Sequence, residues 1–170
     1  MFRRFFEKQG GPNLTCVKVA PVGLCQSAAT NGGNAMYKNV LVPVSFEDNR
    51  DSTGALEIAE AIRTDDGKIT LLHVMEEVPG YALTYIPPDF HDSAQQSIAE
   101  ELGKIAGDLK NSEIRVVDGH SGRTIVDYAE ENGVDCIVIA SHRPGMQNLL
   151  LGSTATQVVR HAKCAVHVLR

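Results

Sequence analysis

A glycine followed by two hydroxyl residues, Gly152-Ser153-Thr154, opens a stretch of helical spacing in this chain of 170 residues. The first turn of a helix carries backbone N–H groups without intrahelical acceptors, and the positive end of the helix dipole lies behind them. Hydroxyls at that place make a cradle for an anion, phosphate above all. The glycine removes a Cβ from the anion's approach. Arg143, in the polar turn just before, adds a guanidinium whose fork matches phosphate oxygens. No Gly-x-x-x-x-Gly-Lys-Ser/Thr loop is present, and no clear acidic pair stands ready to hold magnesium over a β–γ bond. The chemistry expected is therefore phosphate binding with slow or absent hydrolysis, without catalytic residues and without a protein metal site.

Other reactive residues have simpler explanations. His73 lies mid-strand among apolar residues and is expected to be a packed, hydrogen-bonded core histidine, not a ligand or catalyst. His120 and Ser121 are adjacent on a turn, where a Ser/His nucleophile pair does not reach its working geometry. Asp65-Asp66 and Glu76-Glu77 are expected to be solvated turn charges. The four cysteines show neither Cys-x-x-Cys nor metal-ligand spacing, and Cys136 and Cys164 are expected to be small buried hydrophobes. Unpaired thiols suit a reducing cytoplasm.

The elements that must position these residues alternate regularly from Tyr37 onward. Apolar strands are expected at 39–44, 68–75, 113–117, 135–140 and 165–169. Helices are expected at 51–63, 93–109, 124–132 and 153–161, the first with Ala55, Ile58, Ala59 and Ile62 along one stripe. Such alternation requires crossovers, hence a parallel sheet covered on both faces, with ligands beyond the carboxyl ends of its strands. Residues 1–35 differ: a basic, apolar start precedes a stretch rich in Gly, Ser, Asn and Ala, expected to be a poorly ordered extension before a domain spanning 36–170. A net charge of −5 argues against nucleic acid and anionic membrane surfaces as partners.

Several segments resemble the universal stress protein family, across residues 36–170. Val40-Leu-Val-Pro-Val-Ser-Phe is similar to the family's first strand, with Pro43 matching and Ser45 in place of the usual acid. Leu71-Leu-His-Val-Met75 places Val74 where the family offers backbone groups to adenine. Val117-Asp-Gly-His-Ser-Gly-Arg-Thr-Ile resembles a strand-to-helix turn, with Ser121 or Thr124 as its cap. In the glycine signature Ala140 and Arg143 replace two glycines, eight residues separate Arg143 from Gly152, and Gly152-Ser153 match the final pair. The resemblance implies a Rossmann-like (adenine nucleotide alpha hydrolase-like) three-layer α/β sandwich with a five-stranded parallel sheet. It implies a regulatory, cytoplasmic stress protein binding ATP or another adenine nucleotide, with or without Mg2+. The implied site is Pro43, Val44, Ser45, Val74, Ala140, Ser141, His142, Arg143, Gly152, Ser153 and Thr154. It further implies a homodimer through an exposed terminal strand, Ala165–Leu169, which carries no blocking charge or proline. The rivals are a nucleotide-independent interaction protein of the same fold and, further off, a nucleotidyl-transfer enzyme, for which Ser45-Phe-Glu-Asp lacks the extra His or Lys.

Overall fold

The computed structural model describes residues 14–17, 36–46, 52–76, 90–141 and 151–169. Six strands and four helices follow one another as β1 (Leu14–Val17), β2 (Tyr37–Pro43), α1 (Ser52–Ile62), β3 (Arg63–Met75), α2 (Phe90–Ala106), β4 (Ser112–Asp118), α3 (Ser121–Glu131), β5 (Cys136–Ala140), α4 (Ser153–His161) and β6 (Ala165–Leu169). They form one sheet in the order β1-β6-β5-β2-β3-β4. The pairs from β6 to β4 are all parallel. The expected five-stranded parallel sheet is therefore present.

Its apolar residues sort onto two faces because successive side chains of a strand point opposite ways. Val40, Val42, Ile69, Leu71 and Val138 pack with Ala55, Leu56 and Ala59 of α1 and with Leu102 and Ala106 of α2. Leu41, Leu72, Ile137, Ile139, Val166 and Val168 pack with Ile125 and Ala129 of α3 and with Ala155 and Val158 of α4. The buried helix positions recur at three- and four-residue intervals, which places each set on one stripe. Three layers result, with a core on each side of the sheet.

The two central strands are fastened at their amino ends. The Asp135 carboxylate accepts from the backbone N–H of Lys38 at 2.8 Å and of Asn39 at 3.1 Å. The Asn39 side chain in turn donates to the carbonyls of Asn132 and Gly133. Beyond this clasp β2 and β5 pair through only Val40↔Cys136 and Leu41↔Ile137. Gly133, at φ 62°, ends α3 by a Schellman-type turn in which Val134 N–H reaches the Ala129 carbonyl at 2.9 Å.

Three sequence expectations are corrected. Strand β3 starts at Arg63 rather than 68, since a register shift between Tyr37 and Asn39 absorbs the intervening residues. Asp65 and Asp66 are exposed there, at the end of the sheet away from the ligand side. Helices α2 and α3 each begin three residues early, at Phe90 and Ser121. Most consequentially, β6 is not an edge. Part of the amino-terminal stretch, Leu14–Val17, pairs antiparallel along it. Among the described residues, no helix is long and apolar enough to cross a membrane.

Candidate functional site

The chain leaves β3 toward β4 on one side of β2, and β5 and β6 lie on the other, so the connections diverge beside β2. A cleft opens there, as the topology requires. It has a volume of about 180 Å³. Its floor comes from strand ends: Pro43, Val44 and Ser45 after β2, Leu72, His73 and Val74 of β3, and Ile139 and Ala140 of β5. Its walls come from the starts of three helices, with Ser52 and Ala55 of α1, Ser121 and Ile125 of α3, and Ser153 and Thr154 of α4.

Each of those three helices begins with serine, and none has an acidic residue in its first turn. Helix α2, which does not contribute to the cleft, has Asp92 in its first turn. Acids near a helix start offset its positive dipole end. The helices that face the cleft carry none in their first turns, and their three starts converge on one space. Glu76 is the one carboxylate among the described lining residues, and Ser121 Oγ donates to its Oε1 at 3.2 Å.

The floor is fixed by its own hydrogen bonds. Val44 N–H donates to the Leu72 carbonyl at 2.8 Å, extending the β2–β3 ladder past Pro43. His73 Nδ1 lies 2.9 Å from the Val44 carbonyl, and because a carbonyl only accepts, Nδ1 carries the proton of this bond. Phe46 lies tilted against the same imidazole, ring centroids 5.0 Å apart. An exposed aromatic ring thus packs against a residue of the cleft floor.

Comparison with known proteins decides the family. Residues 36–170 match the universal stress protein family. The chain belongs to it. Universal stress protein G of Escherichia coli O157:H7 is 32% identical over 142 residues, covering 79% of this chain and all of that protein. The solved structure of MJ0577, a universal stress protein of Methanocaldococcus jannaschii, superposes with a TM-score of 0.66 at 26% identity, over 79% of this chain and 96% of that one. A universal stress protein of Arabidopsis thaliana solved with AMP bound shares the fold, with a TM-score of 0.52 at 21% identity over 77% of this chain and 90% of that one.

Within this universal stress protein the cleft gathers most of the expected positions. Pro43, Val44, Ser45, Val74, Ala140, Ser153 and Thr154 all line it. Ser141 and Gly152 adjoin them through a bond between the Gly152 N–H and Ser141 Oγ at 3.2 Å, so that N–H is already occupied. His142 and Arg143 lie outside the described residues. Gly152 differs from expectation in its reason. At φ −57° its backbone suits any residue, and a Cβ would meet none of the described residues within 4 Å. The space above it is open, and glycine is not what opens it.

Four positions stand elsewhere than the sequence suggested. Glu76 is part of the cleft instead of a solvated turn, because β3 runs one residue short of it and aims it at the start of α3. His73 is hydrogen-bonded as expected, yet half-buried in the floor of the cleft instead of enclosed in the core. Neither Ser121 nor Thr124 caps α3, whose N-cap is His120 without a side-chain bond. Gly119, at φ 144°, makes the corner, while Gly122 serves packing: a Cβ there would come 2.3 Å from Gln157 Oε1 on α4. Ser52 went unrecognised; its place at the first turn of a helix following a strand was the available signal. Cys136 is fully buried as expected. Cys164 is half-buried, and burial pushes its thiol up to about 11.

Proposed function

We propose that this universal stress protein binds ATP or a related adenine nucleotide in the cleft as a regulatory ligand. The observation that carries this reading is the convergence of three serine-led helix starts, none with an acid in its first turn, on one space at the carboxyl ends of the central strands. Such a field suits a polyanion. The charge layout also suggests how the ligand lies. Its phosphates belong at Ser153 and Thr154, and the nucleoside belongs away from them, along Val44, Ser45 and Val74, where β2 and β3 end in backbone polar groups. Glu76, on that second side, accepts hydrogen bonds from sugar hydroxyls or an exocyclic amine and repels phosphate. Neighbours of the same fold solved with AMP and with cAMP make an adenine ligand the first to test. Ser141 joins the phosphate side through its bond with the Gly152 N–H, His142 and Arg143 follow it in sequence as further proposed contacts, and Mg2+ would enter only as a companion of the phosphates. Catalysis is not part of the proposal, since no side chain in the described cleft is placed to activate water at a phosphate.

Calorimetric titration with ATP, AMP and GTP tests the reading. Binding of an adenine nucleotide is expected in the wild type and is expected to vanish in Ser153→Glu, whose carboxylate meets the phosphates. Equal affinity in the two proteins would place the ligand elsewhere.

A further inference from the structure

We propose that Glu76 is a ribose selector, which admits nucleotides with free 2′- and 3′-hydroxyls and rejects those that carry a further phosphate there. The proposal rests on the nucleotide reading of the cleft and adds the chemical class of nucleotide that fits. Glu76 stands one residue beyond β3, the second strand of the parallel β2-α1-β3 unit. Ser121, the first residue of α3, donates its hydroxyl hydrogen to Glu76 Oε1 at 3.2 Å. The bond joins the carboxylate to a helix start, where the dipole favours an anion. Helix α3 has no acid in its own first turn, so Glu76 supplies that charge from the end of a strand.

The cleft thereby has two unlike sides. Ser153 and Thr154 open α4 with no carboxylate among the described lining residues beside them, whereas the start of α3 is answered by Glu76. A carboxylate only accepts, and the Ser121 hydroxyl has committed its hydrogen to it, so this second side presents acceptors. A ribose hydroxyl donates to such a side. A phosphate ester on the same oxygen has lost that hydrogen and brings a charge of about −1.5 to −2.

No described cation offsets such a charge. Among the described residues, neither lysine nor arginine lines the cleft. Arg123, in the same turn of α3 as Ser121, pairs with Asp127 Oδ2 at 3.4 Å. On the next strand Asp118 lies opposite Met75, which precedes Glu76, so a second carboxylate is close by, and His91 Nε2 is already bonded to it at 2.8 Å. Parallel sheets that bind dinucleotides make the same division. A carboxylate on the strand–helix–strand unit takes the ribose 2′-hydroxyl, and an arginine accommodates the phosphate where that hydroxyl is phosphorylated. The described lining of this cleft has the carboxylate without the arginine.

Calorimetric titration of the full chain with AMP and ATP, and with the forms of each that carry a further phosphate on the 2′- or 3′-oxygen, tests the selector apart from the site. The wild type is expected to bind the further phosphorylated forms at least about tenfold more weakly than the parent nucleotides, since like charges then stand a few ångströms apart. Glu76→Gln keeps the size of the side chain and an accepting oxygen but removes the charge. It is expected to bind the further phosphorylated forms about tenfold more tightly than the wild type does, and the parent nucleotides less tightly. A gain of binding does not arise from a damaged fold. Equal affinity of the wild type for parent and phosphorylated forms would overturn the selector and leave the nucleotide site standing. Rejection that persists undiminished in Glu76→Gln would assign it to the size of the cleft and overturn the selector as well. Binding of neither AMP nor ATP to the wild type would remove the nucleotide reading, and the selector with it.

Discussion

At the scale of single residues, the cleft shows how much depends on where carboxylates are allowed. Ser45 lines the cleft just beyond β2, and Glu76, just beyond β3, supplies the only carboxylate of the described lining. If the nucleoside lies along these two positions, Ser45→Asp adds a second acceptor for sugar hydroxyls, worth on the order of 1.5–3 kcal/mol as a charge-assisted bond. Calorimetry is expected to show tighter adenine-nucleotide binding, and an unchanged dissociation constant would remove Ser45 from the contact surface. His91 gives a second test, away from the cleft. Asp118 Oδ1 accepts from its Nε2 at 2.8 Å, and this bond and the carboxylate charge raise the imidazole above its ordinary value of 6.5. Since the folded value is the higher one, the stabilisation is complete below the ordinary value and disappears as pH rises through the raised one. Asp118→Asn is thus expected to lower the melting temperature at about pH 5.5 and to leave it unchanged at about pH 9. A difference that persists at high pH would assign Asp118 another role.

At the scale of elements, the tightest constraint is the contact between α3 and α4. A Cβ on Gly122 would lie 2.3 Å from Gln157 Oε1 and 2.9 Å from Gln157 Cβ, and the second of these cannot swing aside. Gly122→Ala is expected to destabilise the protein by about 1–3 kcal/mol despite alanine's better helix propensity. Gly152→Ala, facing open space at φ −57°, is expected to leave stability within about 0.5 kcal/mol of the wild type. Chemical denaturation of both variants separates the packing effect from the backbone effect. These two glycines also mark what the sequence could disclose. Strands such as Val40–Val42 and Cys136–Ile139 were legible because burial on both faces leaves an unbroken apolar run. The last helix was legible from its Gly-Ser-Thr opening, and Ser153 and Thr154 with it. The start of α3 was not, because His120 caps it without using its side chain, so the local composition carries no signal. Glu76 was read as a solvated charge because its partner, Ser121, is 45 residues away and reaches it only through sheet pairing. Strand β1 was hidden for the same reason: Leu14-Thr-Cys-Val17 is too short to stand out, and its partner strand is at the opposite end of the sequence.

At the scale of the whole molecule, the Asp135 clasp has a bearing on the order in which the protein assembles. It joins residues 96 and 97 positions apart, whereas β2, β3 and β4 meet through much shorter crossovers. Closing a long stretch of chain before any contact rewards it is entropically costly, so distant pairings tend to form after local ones. The half containing β2, α1, β3, α2 and β4 is therefore expected to organise first, with β5 docking onto β2 late. Removing the clasp by Asp135→Ala would then accelerate unfolding by roughly ten- to a hundredfold, from a loss of about 1.5–3 kcal/mol, and leave the refolding rate nearly unchanged. Stopped-flow measurements in denaturant check this, and a slowed refolding limb would place the clasp in the nucleus instead. Because the cleft lies across the late junction, a nascent chain acquires its ligand site only at the last step of maturation. Nucleotide added during refolding would then slow the escape of finished molecules without hastening their arrival.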